Sequence, residues 1–443
     1  MAMTMRRWTY LLFAAVLLTS CQQDEPTYGV DFSAMPTNGK VFLPYSEQEH
    51  DVEQEAPWRP LEEAAAAMAE WERQVADSLS DTMAVQPMAI HGRQQASSIN
   101  STDLARAVIG SLYSRSVHQV CGTYMSTDAM YNDIRVSGAV FYPTKGRIRN
   151  IIICSHYTVA ANYEVPTQTF PLEAAFAALG YVVIMPDYIG YGETADRVHP
   201  YLQAYVTAAN VIDMALAVRP FLAQRGIKVE SDEVIIMGYS QGGATSLFVQ
   251  YGMENVERYK GKFRIKRNYC GSGPYDVART YDMSVRQDYT PIPYAVPMII
   301  LGMSEGMSNP LPFDQFFQEP LKSHYQEWFN SKRYSGVQLS QLIGSKRLSC
   351  ILTPMGMDRS QPQTQRLYRQ LIMNSIPSRY IPQAPIYLFH SMDDPTVPFI
   401  NSQTVCRNFK VVGFTDYTCN FGHYGNHVEG CMKFMITMFH KLR

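Results

Sequence analysis

Along the chain the apolar positions change period repeatedly, and each change predicts an element. Asp133 to Tyr142 alternates apolar and polar residues and ends at Pro143, the pattern of a strand entering a turn. Ile151-Ile152-Ile153-Cys154 is continuously apolar, as expected of a strand buried on both faces. Leu172 to Leu179 reads as a helix closed by Gly180, and Tyr181 to Met185 as a second buried strand stopped by Pro186. Val211, Met214, Ala215, Val218 and Leu222 then recur at helical spacing, with Pro220 as a kink and Gly226 as a stop. Glu233 to Met237 is a third buried strand, and Gly242 to Tyr251 a helix. This alternation predicts an α/β domain with a mostly parallel central sheet and helices on both faces.

Phe263 to Cys270 and Ile386 to His390 read as two further strands. Between them, residues 276 to 380 lose the strand–helix rhythm and are rich in Tyr, Phe, Met and Pro, which predicts an irregular cap inserted over one end of the sheet. The C-terminal stretch predicts a strand near Phe409 to Tyr417 and a helix over Val428 to Leu442. At the other end, residues 22 to 60 have no period and read as a tether, Leu61 to Asp77 is a run of strong helix formers, and 81 to 100 is loop-like. The expected organisation is therefore a signal segment (1–20), an N-terminal tether and helix (21–100), a core in two parts (101–275 and 381–443), and the cap (276–380).

Composition narrows the field. With 46% hydrophobic and 18% charged residues the 443-residue chain is globular. Its 38 Lys+Arg against 40 Asp+Glu leave −2, which gives no basic field for a nucleic-acid partner. Arg6 and Arg7 precede an apolar run from Trp8 to Leu18, about half the ~20 residues of a spanning helix, so the start reads as a secretory signal. Leu18-Thr19-Ser20-Cys21 resembles a bacterial lipobox, which implies a lipid on Cys21 and attachment to the outer membrane. Gln22-Gln23-Asp24-Glu25 resembles the acidic leader of surface-exposed Bacteroidetes lipoproteins. Removing the signal takes away two Arg and no acid, so the mature charge is −4. If Cys21 is acylated, seven Cys remain, at least one without an intramolecular partner; Cys406 with Cys419 is the expected local pair. No CxxC spacing supports zinc.

The chemistry concentrates in Gly238-Tyr239-Ser240-Gln241-Gly242, between a predicted buried strand and a predicted helix. There G-x-S-x-G is a nucleophile elbow, with small residues because the strand-to-helix turn packs tightly. A Ser hydroxyl needs an imidazole to take its proton and an acid to orient that imidazole, following in the order Ser, acid, His. Asp394, at the end of the strand ending at His390, is the expected acid, with Asp393 as the alternative. The base comes from Phe421-Gly422-His423-Tyr424-Gly425-Asn426-His427: His427, directly before the last helix, with His423 as the alternative. His156 adjoins the oxyanion region, and His199 reads as a loop residue. Two N–H donors should form the oxyanion hole, Gln241 and either Tyr157 or Thr158.

Together with Leu179-Gly180-Tyr181, Pro186-Asp187-Tyr188-Ile189-Gly190-Tyr191-Gly192 and His199-Pro200-Tyr201, these motifs resemble the α/β-hydrolases of the secretory-lipase type. The resemblance spans roughly 105 to 443 apart from the cap. It implies hydrolysis of lipid, carbohydrate or other small-molecule carboxylic esters through an acyl-enzyme, without cofactor or metal. The chain departs from the pattern at His156-Tyr157-Thr158, where many relatives carry His-Gly, and residues 22 to 100 have no counterpart. Asp187 precedes Ser240 and is expected to fix a loop, not to serve as the acid. Two other classes compete: a serine peptidase of the prolyl-oligopeptidase type, whose propeller has no room in this N-terminal segment, and a non-catalytic binding protein on a hydrolase fold, which would have no chemical need for Ser, Asp and His together.

Overall fold

The computed structural model describes residues 41–80, 101–110, 112 and 114–443. The signal segment, Cys21 and the loop reading of 81–100 lie outside the described residues. In chain order the principal elements are β1 (Leu43–Asp51), α1 (Arg59–Ser80), α2 (Ser101–Ile109), β2 (Ser116–Thr127), β3 (Asp133–Pro143), β4 (Asn150–Ser155), β5 (Tyr181–Pro186), α3 (Ala204–Gln224), β6 (Glu233–Tyr239), α4 (Gln241–Asn255), β7 (Arg264–Gly271), β8 (Ile386–Ser391), α5 (Ile400–Val411), β9 (Tyr417–Gly422) and α6 (His427–Leu442). The nine strands form one sheet in the order β1-β2-β3-β5-β4-β6-β7-β8-β9. β1, β2, β3 and β5 pair antiparallel, and every pairing from β5 through β4 to β9 is parallel.

The buried runs seen in sequence are the central strands. β4, β5 and β8 are buried along their whole length, as parallel strands covered by helices on both faces must be. α3 is long and apolar enough to cross a membrane, but most of it is buried inside the protein, which explains its lack of a polar face. Register places Ser155 at the end of β4 opposite Gly238 of β6. The loop after β4 and the turn after β6 therefore leave the sheet side by side.

Three expectations change. Residues 43 to 60 are not tether: β1 pairs with β2 as the edge strand, and Val52, Ala56 and Trp58 enter the core. The alternation in Leu43–Asp51 is hidden because only one face of the strand is partly covered. Phe409 does not begin a strand; it is a buried residue of α5, and β9 starts only at Tyr417. The insertion between β7 and β8 carries helices in short pieces, such as Val277–Gln287, Ala295–Ser304 and Pro362–Met373, joined by loops. Its periodicity was too brief to register in sequence, and it folds around its own apolar cluster, which includes Met303, Phe316, Phe317 and Leu367. That cluster reaches the sheet domain through Ala160, Tyr201 and Leu202.

One buried carboxyl makes this core pH-sensitive. Glu173 sits in a 3-10 segment (Leu172–Leu179) among Ala and Phe side chains, and its Oε2 has no hydrogen-bond partner. Burial pushes its pKa up from 4.5 to about 7. The folded state then holds the proton more tightly than the unfolded chain, so this stabilisation is complete below about pH 4.5 and is lost as pH rises towards 7. Urea denaturation from pH 4.5 to 7.5 should show the wild type losing up to about 3 kcal/mol relative to Glu173→Gln, for which that pH-dependent component is absent.

Candidate active site

Ser240 lies between β6 and α4 with φ 59° and ψ −124°, a conformation that is strained for any residue with a Cβ. The neighbouring glycines account for how it is held. A Cβ on Gly238 would lie 2.2 Å from the Gly242 carbonyl oxygen, one on Gly242 1.9 Å from that of Ser155, and one on Gly243 2.2 Å from that of Gly271. Three strand ends thus close on the turn, and the Ser240 N–H donates to the Gly271 carbonyl at 2.9 Å. No side chain other than hydrogen fits at these positions without moving backbone.

The two loops after β8 and β9 meet at this turn. His427 Nε2 is 2.8 Å from Ser240 Oγ, and its Nδ1 is 2.5 Å from Asp394 Oδ2. Asp394 is fully buried at its side chain and cannot swing: its Oδ1 accepts the N–H groups of Thr396 and Val397, each at 2.9 Å. His427 is the first residue of α6, and a capping box sets it. Asn426 accepts from the Val428 and Glu429 N–H groups while Glu429 accepts from the Asn426 N–H. Tyr239 Oη donates to the His427 carbonyl at 2.8 Å, and Ser391 Oγ to the Gly425 carbonyl at 2.6 Å. An imidazole held in this way can accept the serine proton at one nitrogen while the carboxylate stabilises the charge that forms at the other.

The alternatives Asp393 and His423 are brought to each other instead. His423 Nδ1 lies 2.8 Å from Asp393 Oδ1 in an exposed pair, and no hydrogen bond joins either to Ser240. His390 lies behind the acid, with its Nε2 3.7 Å from Asp394 Oδ2, but it donates to the Val397 carbonyl and accepts from Ser402 Oγ; burial lowers its pKa and keeps it neutral.

On the opposite side of Ser240, the Gln241 N–H heads α4 and has no intrahelical partner. The loop Ser155-His156-Tyr157-Thr158 presses against the same turn, since the Ser155 and His156 carbonyls are the nearest atoms to Gly242. His156 is buried, bonds the Tyr157 carbonyl at 2.6 Å and stacks on Tyr188 at 4.0 Å. Thr158 Oγ1 pairs with Tyr201 Oη at 2.9 Å.

His199 has more to do than a loop residue. It donates from Nδ1 to the Ile189 carbonyl at 2.7 Å, which leaves Nε2 as an acceptor for the Gln241 side-chain amide at 3.0 Å. Burial pulls its pKa down to about 3, so this acceptor persists across the working pH range. The sequence carried no signal for this contact, which arises because the Asp187–Tyr201 loop folds over the elbow. Asp187 is buried and accepts from Ser137 Oγ, Thr167 Oγ1 and the Thr167 N–H, tying that loop to β3. Among the described residues no group of three His, Cys, Asp or Glu side chains is placed to hold a metal ion.

No protein-family model matches the chain, and no curated protein matches it by sequence. Solved structures do match. A rice cell wall degrading esterase, LipA from Xanthomonas oryzae, superposes with a TM-score of 0.63 at 23% identity, over 76% of this chain and 92% of that one. A putative hydrolase from Legionella pneumophila gives 0.65 at 20% identity over 76% and 94%. Lipase A from Candida antarctica gives 0.50 at 16% over 70% and 73%. The chain has an α/β-hydrolase fold. In that fold the elbow after β6 and the loops after β4, β8 and β9 all open at the carboxyl ends of parallel strands, the edge where open α/β sheets bind ligands.

Gly242→Ala tests how tightly the elbow is set. The added methyl would overlap the Ser155 carbonyl. The variant is expected to label with a fluorophosphonate probe at least tenfold more slowly than wild type while giving the same far-UV circular dichroism.

Proposed function

We propose that this chain is a serine hydrolase of carboxylic esters. The observation that carries the reading is the pair of hydrogen bonds on His427, one to Ser240 Oγ and the other to the buried Asp394 carboxylate. Ser240 Oγ attacks the ester carbonyl carbon as His427 Nε2 takes its proton, and Asp394 stabilises the imidazolium. The tetrahedral oxyanion faces the Gln241 N–H and the N–H of Tyr157 or Thr158. Collapse expels the alcohol, which leaves with the proton from His427, and forms an acyl-enzyme on Ser240. Water, deprotonated by His427, then attacks the acyl carbon and releases the acid. No step calls for a cofactor.

The space between the cap and the sheet domain bears on the substrate. It holds only about 20 Å³, is bounded by Met298, Leu301 and Phe329 of the cap and by Tyr191 and His199 of the core, and includes the buried Lys332 ammonium, whose pKa burial lowers to about 8. Neither Ser240 nor Gln241 lines it; His199, which bonds the Gln241 side chain, is its link to the elbow. A cavity of that size has room for about one water molecule and none for a long acyl chain. Esters of short acyl chains are therefore expected to give higher kcat/KM than palmitoyl esters.

With p-nitrophenyl acetate or butyrate, Ser240→Ala and His427→Ala are expected to lower kcat by roughly 10⁴-fold or more, whereas His423→Ala should stay within about threefold of wild type. Turnover that survives in Ser240→Ala would overturn the mechanism.

The lipobox-like Leu18-Thr19-Ser20-Cys21 also supports a lipid-anchored, exported form at the bacterial outer membrane. Expressed in a bacterial host, the wild type should take up radiolabelled palmitate and sediment with membranes; Cys21→Ser should do neither.

A further inference from the structure

The helix α5 and the edge strand β9 meet along three rungs. Successive side chains of a strand alternate faces, so Tyr417, Cys419 and Phe421 share one face of β9. Opposite them, in reversed sequence order because the helix runs back along the strand, stand Phe409, Cys406 and Phe399. Phe399 packs edge-on against Phe421 with ring centroids 5.0 Å apart, and Phe409 against Tyr417 at 5.4 Å. Between these aromatic rungs the Cys406 and Cys419 sulfurs are 3.2 Å apart. Two flanking contacts therefore fix the middle one. The other described cysteines are placed differently: Cys121, Cys154, Cys270 and Cys431 are buried and Cys350 is exposed, and none of them has a second cysteine sulfur within contact.

We infer that Cys406 and Cys419 are a redox pair that closes into a disulfide, joining the segment that carries Asp394 to the segment that carries His427. The present separation exceeds a covalent S–S bond by about an ångström, the scale of a side-chain rotation. Access and reactivity both favour closure. Cys419 is exposed on a surface groove with Lys410 and Phe414, and its sulfur–sulfur hydrogen bond with Cys406, together with the Lys410 ammonium, lowers its pKa. The oxidant is a small or protein disulfide such as oxidised glutathione. The Cys419 thiolate attacks one glutathione sulfur and expels a glutathione thiolate. Cys406 then loses its proton to solvent, and its sulfur attacks the Cys419 sulfur of the mixed disulfide, expelling the second glutathione. Two protein thiols are oxidised and one disulfide is reduced to two thiols.

The consequence follows from where α5 and β9 begin and end. The Asp394 loop runs into the first turn of α5, and the His427 loop leaves the last residue of β9. A bond at the middle rung locks the unit that holds both. Its catalytic meaning rests on the roles proposed above for Asp394 and His427, but its formation does not.

The full chain is incubated with oxidised glutathione, denatured, alkylated with iodoacetamide and digested with trypsin. Cleavage after Arg379, Arg407, Lys410 and Lys433 places Cys406 in 380–407, with Asp394, and Cys419 in 411–433, with His427. The expected product is these two peptides covalently linked through Cys406 and Cys419, with Cys431 and Cys350 alkylated. Thermal melting followed by circular dichroism should show the oxidised wild type unfolding several degrees above the reduced form, a difference that vanishes in Cys406→Ser and in Cys419→Ser. Neither readout needs ester hydrolysis, so failure here and failure of the enzymatic reading are separable. Glutathione retained on Cys419 without a linked peptide, or a disulfide only between two copies of the chain, would overturn the inference.

Discussion

Everything at this site depends on one backbone constraint, the left-handed conformation of Ser240. A serine does not adopt it unaided, at a cost of order 1–3 kcal/mol. Here it is imposed by three strand ends that converge until only glycine fits at 238, 242 and 243. The same closeness sets the loop after β4 against the first turn of α4, beside the Ser240 hydroxyl. The parallel register of β4, β6 and β7 is what makes the three strand ends coincide.

The partners of Ser240 come from a different unit with its own logic. β8, α5 and β9 form a single crossover at the sheet edge, and its two outgoing loops carry the carboxylate and the imidazole. Each loop is pinned through backbone groups. Asp394 is held by two N–H donors of its own turn, and His427 by the capping box of α6 together with Tyr239 and Ser391. Tyr239 links the two units: it lies inside the elbow motif yet bonds the backbone of the imidazole-bearing residue. A rigid strand framework with fixed loops supplies the pre-organisation that positioned chemistry requires.

What the sequence revealed divides along physical lines. The fully buried strands were legible, because burial on both faces leaves no polar residue to interrupt the run. The elbow was legible, because its glycines answer to a steric limit. β1 was missed because an edge strand with one partly covered face keeps polar residues such as Glu47 and Glu49. Phe409 to Tyr417 misled because Phe409, Phe414 and Tyr417 pack on one another across a helix end and a strand start, and neither period holds over that span. The helices of the inserted segment escaped notice because several are a single turn long, shorter than the pattern needed to detect them. The His199–Gln241 contact could not be read at all, since it depends on how one loop folds over another.

The surroundings also explain why, among the histidines near the elbow, one stands apart. His156, His199 and His390 are all buried, and burial keeps each of them neutral. His199 and His390 have both ring nitrogens engaged in neutral hydrogen bonds, while His156 donates to the Tyr157 carbonyl and leaves Nε2 without a partner in an apolar setting. None of these rings is hydrogen-bonded to Ser240; His390, with the Ser402 hydroxyl at Nδ1 and the Asp394 carboxylate 3.7 Å from Nε2, gives its Nε2 proton to the Val397 carbonyl instead. His423 faces a carboxylate, but in solvent, where a charge pair contributes little. His427 combines a buried carboxylate at one nitrogen with a serine hydroxyl at the other, and its side chain is still 15% exposed. The neutral histidines around it therefore act as scaffolding, and of all these rings His427 alone is hydrogen-bonded to both Ser240 and Asp394.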